Sequence, residues 1–235
     1  MGPRVVLFIL LLLALSSLAR GFSQRLVRTK ASLSPHAQQW IDESLHYYNR
    51  IARGTPKEQW ESPEHIAMAM RTYFAHTKVK GGKSYAAEKI YRRLMEEMTA
   101  TNGSRDKEHE HHHHCDGRHH HDCNSDLGRL AVPTLLLSLL LQREQRFDDA
   151  RLVFESFYQI VVKLLDNGTV QCPCSARVLQ AFALFEMKQD NQLRALEIVA
   201  LAVRLDGKIR PVLRWKQFRD AIELRRRLSS GRLAP

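Results

Sequence analysis

The chain has 235 residues, of which 26% are charged, and a net charge of +11. The cations collect at two places: residues 1–30 carry five and no acid, and residues 204–232 carry ten Lys or Arg against three acids. The stretch between these ends is close to neutral, which argues against a protein that binds nucleic acid over its whole surface. Without a leader, about 200 residues remain, enough for one domain with a substantial core.

The N-terminus has the layout of a signal peptide over residues 1–21. Basic Arg4 precedes an apolar run over residues 5–15, and small residues follow as far as Gly21. A membrane-spanning helix needs about 20 apolar residues, so this shorter run favours a cleaved leader over an anchor. We therefore expect entry into the secretory pathway and no transmembrane span after cleavage.

Residues 22–33 form a basic segment whose destination has two interpretations. Cleavage after Gly21 leaves Phe22 at the new N-terminus, and no acid occurs before Asp42. A signal peptide followed by a phenylalanine-led, acid-free basic stretch resembles the bipartite presequences of algae with secondary, red-derived plastids. The resemblance implies a plastid destination, which we favour. The alternative is a flexible basic tail on a protein that is secreted or kept in the endoplasmic reticulum lumen.

Helix signals dominate the rest of the chain, and strand alternation is nearly absent. Ser34 and Ser62 each precede a proline, the combination of cap and first-turn residue that begins a helix. We predict N-terminal helices within residues 34–100, C-terminal helices within 126–229 and a tail at 230–235. The predicted helices are 35–53, 63–77, 84–102, 126–145, 147–166, 175–190, 192–206 and 214–228. Residues 130–141 are apolar nearly all round, which predicts a buried central helix.

One apolar pattern recurs three times, a small residue followed by apolar residues four and seven positions later. The three sets are Ala87, Tyr91 and Leu94; Ala150, Phe154 and Phe157; and Ala195, Val199 and Ala202. Residues 135–157 resemble a tetratricopeptide repeat, although the intervals of 63 and 45 residues between the alanines exceed the usual spacing of about 34. The resemblance implies an all-α fold, with helical hairpins stacked as a short TPR-like solenoid whose groove binds a protein partner. An irregular helical bundle is the alternative.

A disordered loop rich in histidine and cysteine is predicted over residues 101–125. Imidazole and thiolate are ligands that zinc and copper prefer, so the loop is a candidate metal site. The candidate ligands are His109, His111, His112, His113, His114, Cys115, His119, His120, His121 and Cys123. A low-complexity insertion without a cellular role is the alternative. Residues 109–113 match H-E-x-x-H, but they lack the apolar helical face of a zinc protease, so we reject that match.

Cys172 and Cys174 flank a proline just before the helix predicted to begin at residue 175. Two thiols beside a helix N-terminus favour the thiolate form, which suits a redox pair or a soft-metal site. A structural turn, or disulfides with Cys115 and Cys123, are the alternatives. Asn102 and Asn167 begin glycosylation sequons.

The last predicted helix combines apolar residues with arginines. Trp215, Phe218 and Ile222 fall on one helical stripe, which predicts a cap on the end of the solenoid. The cationic turn that follows, Arg225, Arg226 and Arg227, offers contact to an anionic surface.

The helices present scattered charges and no convergent acid, base and nucleophile. We therefore predict a non-enzymatic scaffold or assembly factor that binds a protein partner in an organelle or the secretory lumen. No nucleic-acid partner and no certain cofactor are expected. The alternative is a zinc or copper buffer or delivery protein that uses the His/Cys-rich loop.

Overall fold

The computed structural model describes residues 35–53, 63–102, 126–166 and 173–230. These residues form eight α-helices and one 3₁₀ helix, and they contain no strand. In chain order the elements are α1 (Pro35–Ala52), α2 (Pro63–Lys80), α3 (Ser84–Asn102), α4 (Asp126–Arg143), α5 (Phe147–Asp166), α6 (Pro173–Lys188), α7 (Gln192–Leu205), the 3₁₀ helix (Gly207–Arg214) and α8 (Lys216–Ser229). The predicted all-α class is confirmed.

Six of the helices pack as three consecutive hairpins: α2 with α3, α4 with α5, and α6 with α7. The first helices α2, α4 and α6 also contact one another in that order. The second helices α3 and α5 each contact the first helix of the next hairpin. This connectivity is that of a short solenoid, with one layer of first helices and one layer of second helices. The predicted stack of hairpins is confirmed.

The repeated small residue explains how closely the two helices of each hairpin approach. Ala87, Ala150 and Ala195 are fully buried, one in the second helix of each hairpin. The apolar residues four and seven positions after each alanine are buried as well. The small side chain leaves room for the neighbouring backbone, and the residues that follow fill the space between hairpins.

The three hairpins also turn in the same way. Gly82, Gln145 and Asp190 have positive φ angles of 74°, 63° and 60°, and each lies five residues before its buried alanine. The next N–H in each turn donates to the carbonyl oxygen five residues earlier: Lys83 to Lys78 at 2.8 Å, Arg146 to Leu141 at 2.9 Å and Asn191 to Glu186 at 2.9 Å. This Schellman arrangement satisfies a carbonyl that the helix end would leave without a partner. The chain then enters the second helix directly.

Helices α4 and α6 form the centre of the core. The predicted buried helix over residues 130–141 is confirmed, since nearly every side chain in it is buried. In α6, every residue from Cys174 to Glu186 is buried, including Arg177 and Glu186. The Arg177 guanidinium lies 5.3 Å from the Trp40 ring centroid, and Glu186 accepts a hydrogen bond of 2.7 Å from Arg151. These contacts compensate the burial of charge.

The C-terminal region differs from its prediction in two ways. The 3₁₀ helix was not predicted; the Asp206 side chain caps it by accepting from the backbone N–H of Lys208 at 2.9 Å. The predicted stripe through Trp215 is wrong, because Trp215 is the extended residue before α8 and is 37% exposed. Phe218 and Ala221 are instead the buried residues of α8. The predicted capping role of α8 is retained, since α8 packs on α7 and the 3₁₀ helix.

We expect Gly82→Ala to lower the free energy of unfolding by about 1 kcal/mol, because a Cβ in the left-handed region costs roughly 1–2 kcal/mol and a stiffer unfolded chain offsets part of that cost. Nothing lies within 4 Å of the added Cβ, so the loss is a backbone effect. Gly81→Ala is the matched control. Its φ lies outside the left-handed region and its Cβ makes ordinary contacts of 3.5 and 3.6 Å. Urea denaturation that shows equal losses for both variants would contradict this account of the turn.

Candidate functional site

The inner face of the solenoid is the first surface to test, because the sequence predicted a partner groove there. Helix α1 runs antiparallel to α2: the rings of Tyr47 and His65 lie 6.3 Å apart, whereas Asp42, earlier in α1, faces His76, later in α2. Burial and Lys80 lower the pKa of His76, and Asp42 opposes that shift. Helix α1 therefore packs along the first hairpin.

Helix α1 also reaches the third hairpin. Trp40 carries the guanidinium of Arg177 in α6 over its ring. Burial raises the pKa of Tyr48, with a further contribution from Cys174 at the start of α6. Trp40 precedes Tyr48 in α1, whereas Arg177 follows Cys174 in α6, so α1 runs antiparallel to α6 as well as to α2. Helix α1 therefore lies over the inner face, where the sequence predicted a partner groove, with buried side chains of its own that include Trp40 and Leu45. Binding of a partner at the inner face stays a prediction.

The N-terminal end of the stack carries an exposed apolar stripe on α2. Ala67, Met70 and Phe74 lie at i, i+3 and i+7 and are all exposed. Helix α2 contacts α1 on its inner side, α3 on its outer side and α4 on the side of the second hairpin. The stripe therefore faces away from the stack. We call these three residues the open stacking surface.

The repeated turn allows each residue of the open stacking surface to be compared with the equivalent positions in the second and third hairpins. Each residue of the stripe has counterparts at the same distance before the positive-φ residue in the other two hairpins. The counterparts are Leu130 and Ser175 for Ala67, Pro133 and Val178 for Met70, and Leu137 and Phe182 for Phe74. All six counterparts are buried, whereas Met70 is 45% and Phe74 is 52% exposed. Among the described residues, the first hairpin is preceded only by the single helix α1, whereas a whole hairpin precedes each of the other two.

Helix α5 shows how a preceding helix covers such a position. The Phe154 ring stacks on Phe182 with centroids 5.0 Å apart and an interplanar angle of 13°. Tyr158 meets Phe182 edge-on at 6.4 Å. At the open stacking surface the equivalent Phe74 instead has Lys78 Nζ 4.4 Å from its ring centroid. A solvated cation over an aromatic face covers less apolar area than two aromatic rings.

The C-terminal end of the stack is capped and cationic. Ile209, Val212, Phe218 and Ala221 are its buried residues. Five exposed cations and no acid occur between residues 207 and 219, and none of the five has an ion pair among the described residues: Lys208, Arg210, Arg214, Lys216 and Arg219. We call these five residues the cationic end. Trp215 lies exposed within it.

The arginines that the sequence predicted to contact an anionic surface are less available for that contact than the residues of the cationic end. Arg226 and Arg227 share the carboxylate of Glu223 at 3.2 and 3.1 Å. Arg225 is exposed. Sequence reasoning missed the cationic end as a unit, because the 3₁₀ helix that displays Lys208, Arg210 and Arg214 was not predicted.

Two charge pairs connect neighbouring hairpins. Arg146, at the second turn, donates to Glu88 of α3 at 2.6 Å, and this hydrogen bond is the main reason that the pKa of Glu88 is lowered. Arg194 of α7 donates to Glu155 of α5 at 3.0 Å. These pairs join the first hairpin to the second and the second to the third.

The predicted metal ligands from His109 to Cys123 lie outside the described residues, as do Cys172, Asn167 and the leader. The other predicted thiol, Cys174, is buried in the first turn of α6, which begins at Pro173 rather than at residue 175. Within the described ranges, no three His, Cys, Asp or Glu side chains form a group that could hold a metal ion. The metal and redox predictions therefore stay predictions.

Among the described residues, no helix combines the length and the apolar character that crossing a membrane requires. No protein-family model, curated protein or solved structure matches the chain. The fold and the two end surfaces define an all-α protein of stacked helical hairpins, open at one end and capped at the other.

Equivalent phenylalanines should respond differently to truncation. We expect Phe182→Ala to lower the free energy of unfolding by about 3–5 kcal/mol, the usual cost of a cavity at a buried phenylalanine. Phe74→Ala should cost less than about 1 kcal/mol, because half of that side chain already faces solvent. Urea denaturation of the two variants measures the difference. Similar losses at both positions would show that Phe74 is covered in solution.

Proposed function

We propose that the protein is a non-enzymatic, tetratricopeptide-like scaffold or assembly factor that binds a protein partner at the open stacking surface. The observation that carries the proposal is that positions buried in the second and third hairpins are exposed in the first. Helical-repeat arrays need their terminal hairpins covered, and exposed apolar patches commonly mark binding interfaces. The predicted leader places this activity in an organelle or the secretory lumen, with the plastid of an alga favoured.

The cationic end supports a second contact of the same scaffold, with an anionic surface. Its five cations lie close to the exposed Trp215 in the sequence, and tryptophan and arginine are enriched among the residues that dominate interface energies. This assignment moves the anionic contact predicted at Arg225, Arg226 and Arg227 toward Trp215. The apolar face of α8 is buried in the cap, so the contact is electrostatic.

Site-specific photo-cross-linking in the source cell tests the scaffold function. A photoreactive residue in place of Met70 should cross-link to one discrete protein, and Phe74→Glu in the same chain should abolish that product. The control is the same photoreactive residue at Leu152, an apolar side chain that is 65% exposed on α5, away from the open stacking surface. Equal products from both positions, or none from residue 70, would refute binding at this surface.

The topology also favours a specific form of the metal-handling alternative. The three hairpin turns lie at one edge of the solenoid, so α3 and α5 end, and α4 and α6 begin, at the opposite edge. Cys174 lies at this edge, in the first turn of α6. We therefore propose that zinc or copper held by ligands between His109 and Cys123 also uses the thiols of Cys172 and Cys174.

Metal analysis of the protein purified without an affinity tag tests this alternative. Plasma mass spectrometry should find at least one zinc or copper per chain, and deletion of residues 109–123 should remove it. Cys172→Ser should weaken metal retention against a chelator if the two connections share the ion. A metal-free chain after purification under reducing conditions would refute the metal-handling function and leave the scaffold proposal intact.

A further inference from the structure

We infer that the open stacking surface binds one amphipathic α-helix of the partner protein, in which two large apolar residues lie four positions apart. The inference rests on the proposed function and adds the chemistry of the partner. It follows from what already occupies the equivalent position twice within this chain.

The first argument is the internal interface between α5 and α6. Phe154 and Tyr158 lie four positions apart on one face of α5. Their rings cover Phe182 of α6, with centroids 5.0 and 6.4 Å from its own. Because Phe74 corresponds to Phe182 in the repeated turn register, the helix that fits over Phe74 should present the same spacing.

Helix α3, which packs on α4, repeats this spacing with Tyr91 and Met95. Tyr91 is buried and Met95 packs against the core. Leu137 of α4, the counterpart of Phe74, is fully buried. The two second helices that pack on a following hairpin therefore share this spacing although their sequences differ.

The charge beside the surface adds a preference. Lys78 lies over Phe74 and the exposed Lys80 follows it, and neither has an ion pair among the described residues. An acidic residue on the flank of the incoming helix would meet these cations. Residues 22–34 of the same chain suit the surface poorly, because they carry three cations and no acid that could meet Lys78 and Lys80. The C-terminal end of a second copy cannot continue the stack, because the 3₁₀ helix and α8 cap it.

The sequence of α5 supplies a defined probe for this inference. A fluorescent, lactam-bridged peptide of residues 147–166 should bind the purified chain lacking its leader (residues 22–235), as followed by anisotropy. Phe74→Glu in the protein should weaken binding at least tenfold. The matched control, Leu152→Glu, should leave the affinity within twofold. A peptide with Phe154→Ala and Tyr158→Ala should bind the unaltered protein at least tenfold more weakly.

The inference is overturned if the peptide does not bind, or if Phe74→Glu and Leu152→Glu have equal effects. Dimerisation seen by sedimentation velocity and lost in Phe74→Glu would instead assign the surface to a second copy. If the peptide binds only after residues 22–34 are removed, the open stacking surface is instead assigned to that segment of the same chain. If a protein is cross-linked from residue 70 through a segment that lacks this spacing of large apolar residues, the inference about the partner helix is refuted, whereas the scaffold function is not.

Discussion

The close approach of two helices at a buried alanine is the constraint on which the rest of this structure depends. Ala87, Ala150 and Ala195 each follow a left-handed turn residue by five positions, so turn and contact act as one unit. The turn fixes where the second helix begins, and the alanine lets it lie against the first. Three such hairpins share one register, so the second helix of each can pack in the same way on the first helix of the next hairpin.

A stack of identical units leaves two unequal ends, and this chain treats them differently. At the C-terminal end the 3₁₀ helix and α8 bury Phe218 and Ala221 and turn cations outward. At the N-terminal end helix α1 packs on the inner side of α2 and leaves the stripe of Ala67, Met70 and Phe74 exposed. The inner face is therefore occupied by α1, and Phe74 occupies a core position with solvent on one side. This arrangement is why we propose partner binding at the end of the stack.

Most helices and the alanine pattern could be predicted from the sequence, because serine-proline starts and 3.6-residue periodicity are local signals. The turns at Gln145 and Asp190 could not be predicted, because these residue types do not indicate a left-handed conformation in the way that a glycine such as Gly82 does. Helix α6 was not recognised as central because Arg177 and Glu186 make it look partly polar. The open stacking surface could not be predicted, because its exposure depends on non-local packing. Phe74 and Phe182 are the same residue type, and the position of each hairpin in the stack determines which one is buried.

The two proposed functions both involve the first hairpin, but they use different parts of it. Helix α2 carries the open stacking surface, and α3 ends at Asn102, where the His/Cys-rich loop begins. Arg71 of α2 pairs with Glu97 near that end of α3 at 2.5 Å, so the two helices are joined close to the loop. Metal in the loop would reach the partner surface only through α3, whereas the stripe on α2 is formed without any loop residue. Loss of metal from the loop should therefore leave the open stacking surface intact, and the two proposed activities would lie at different edges of one hairpin.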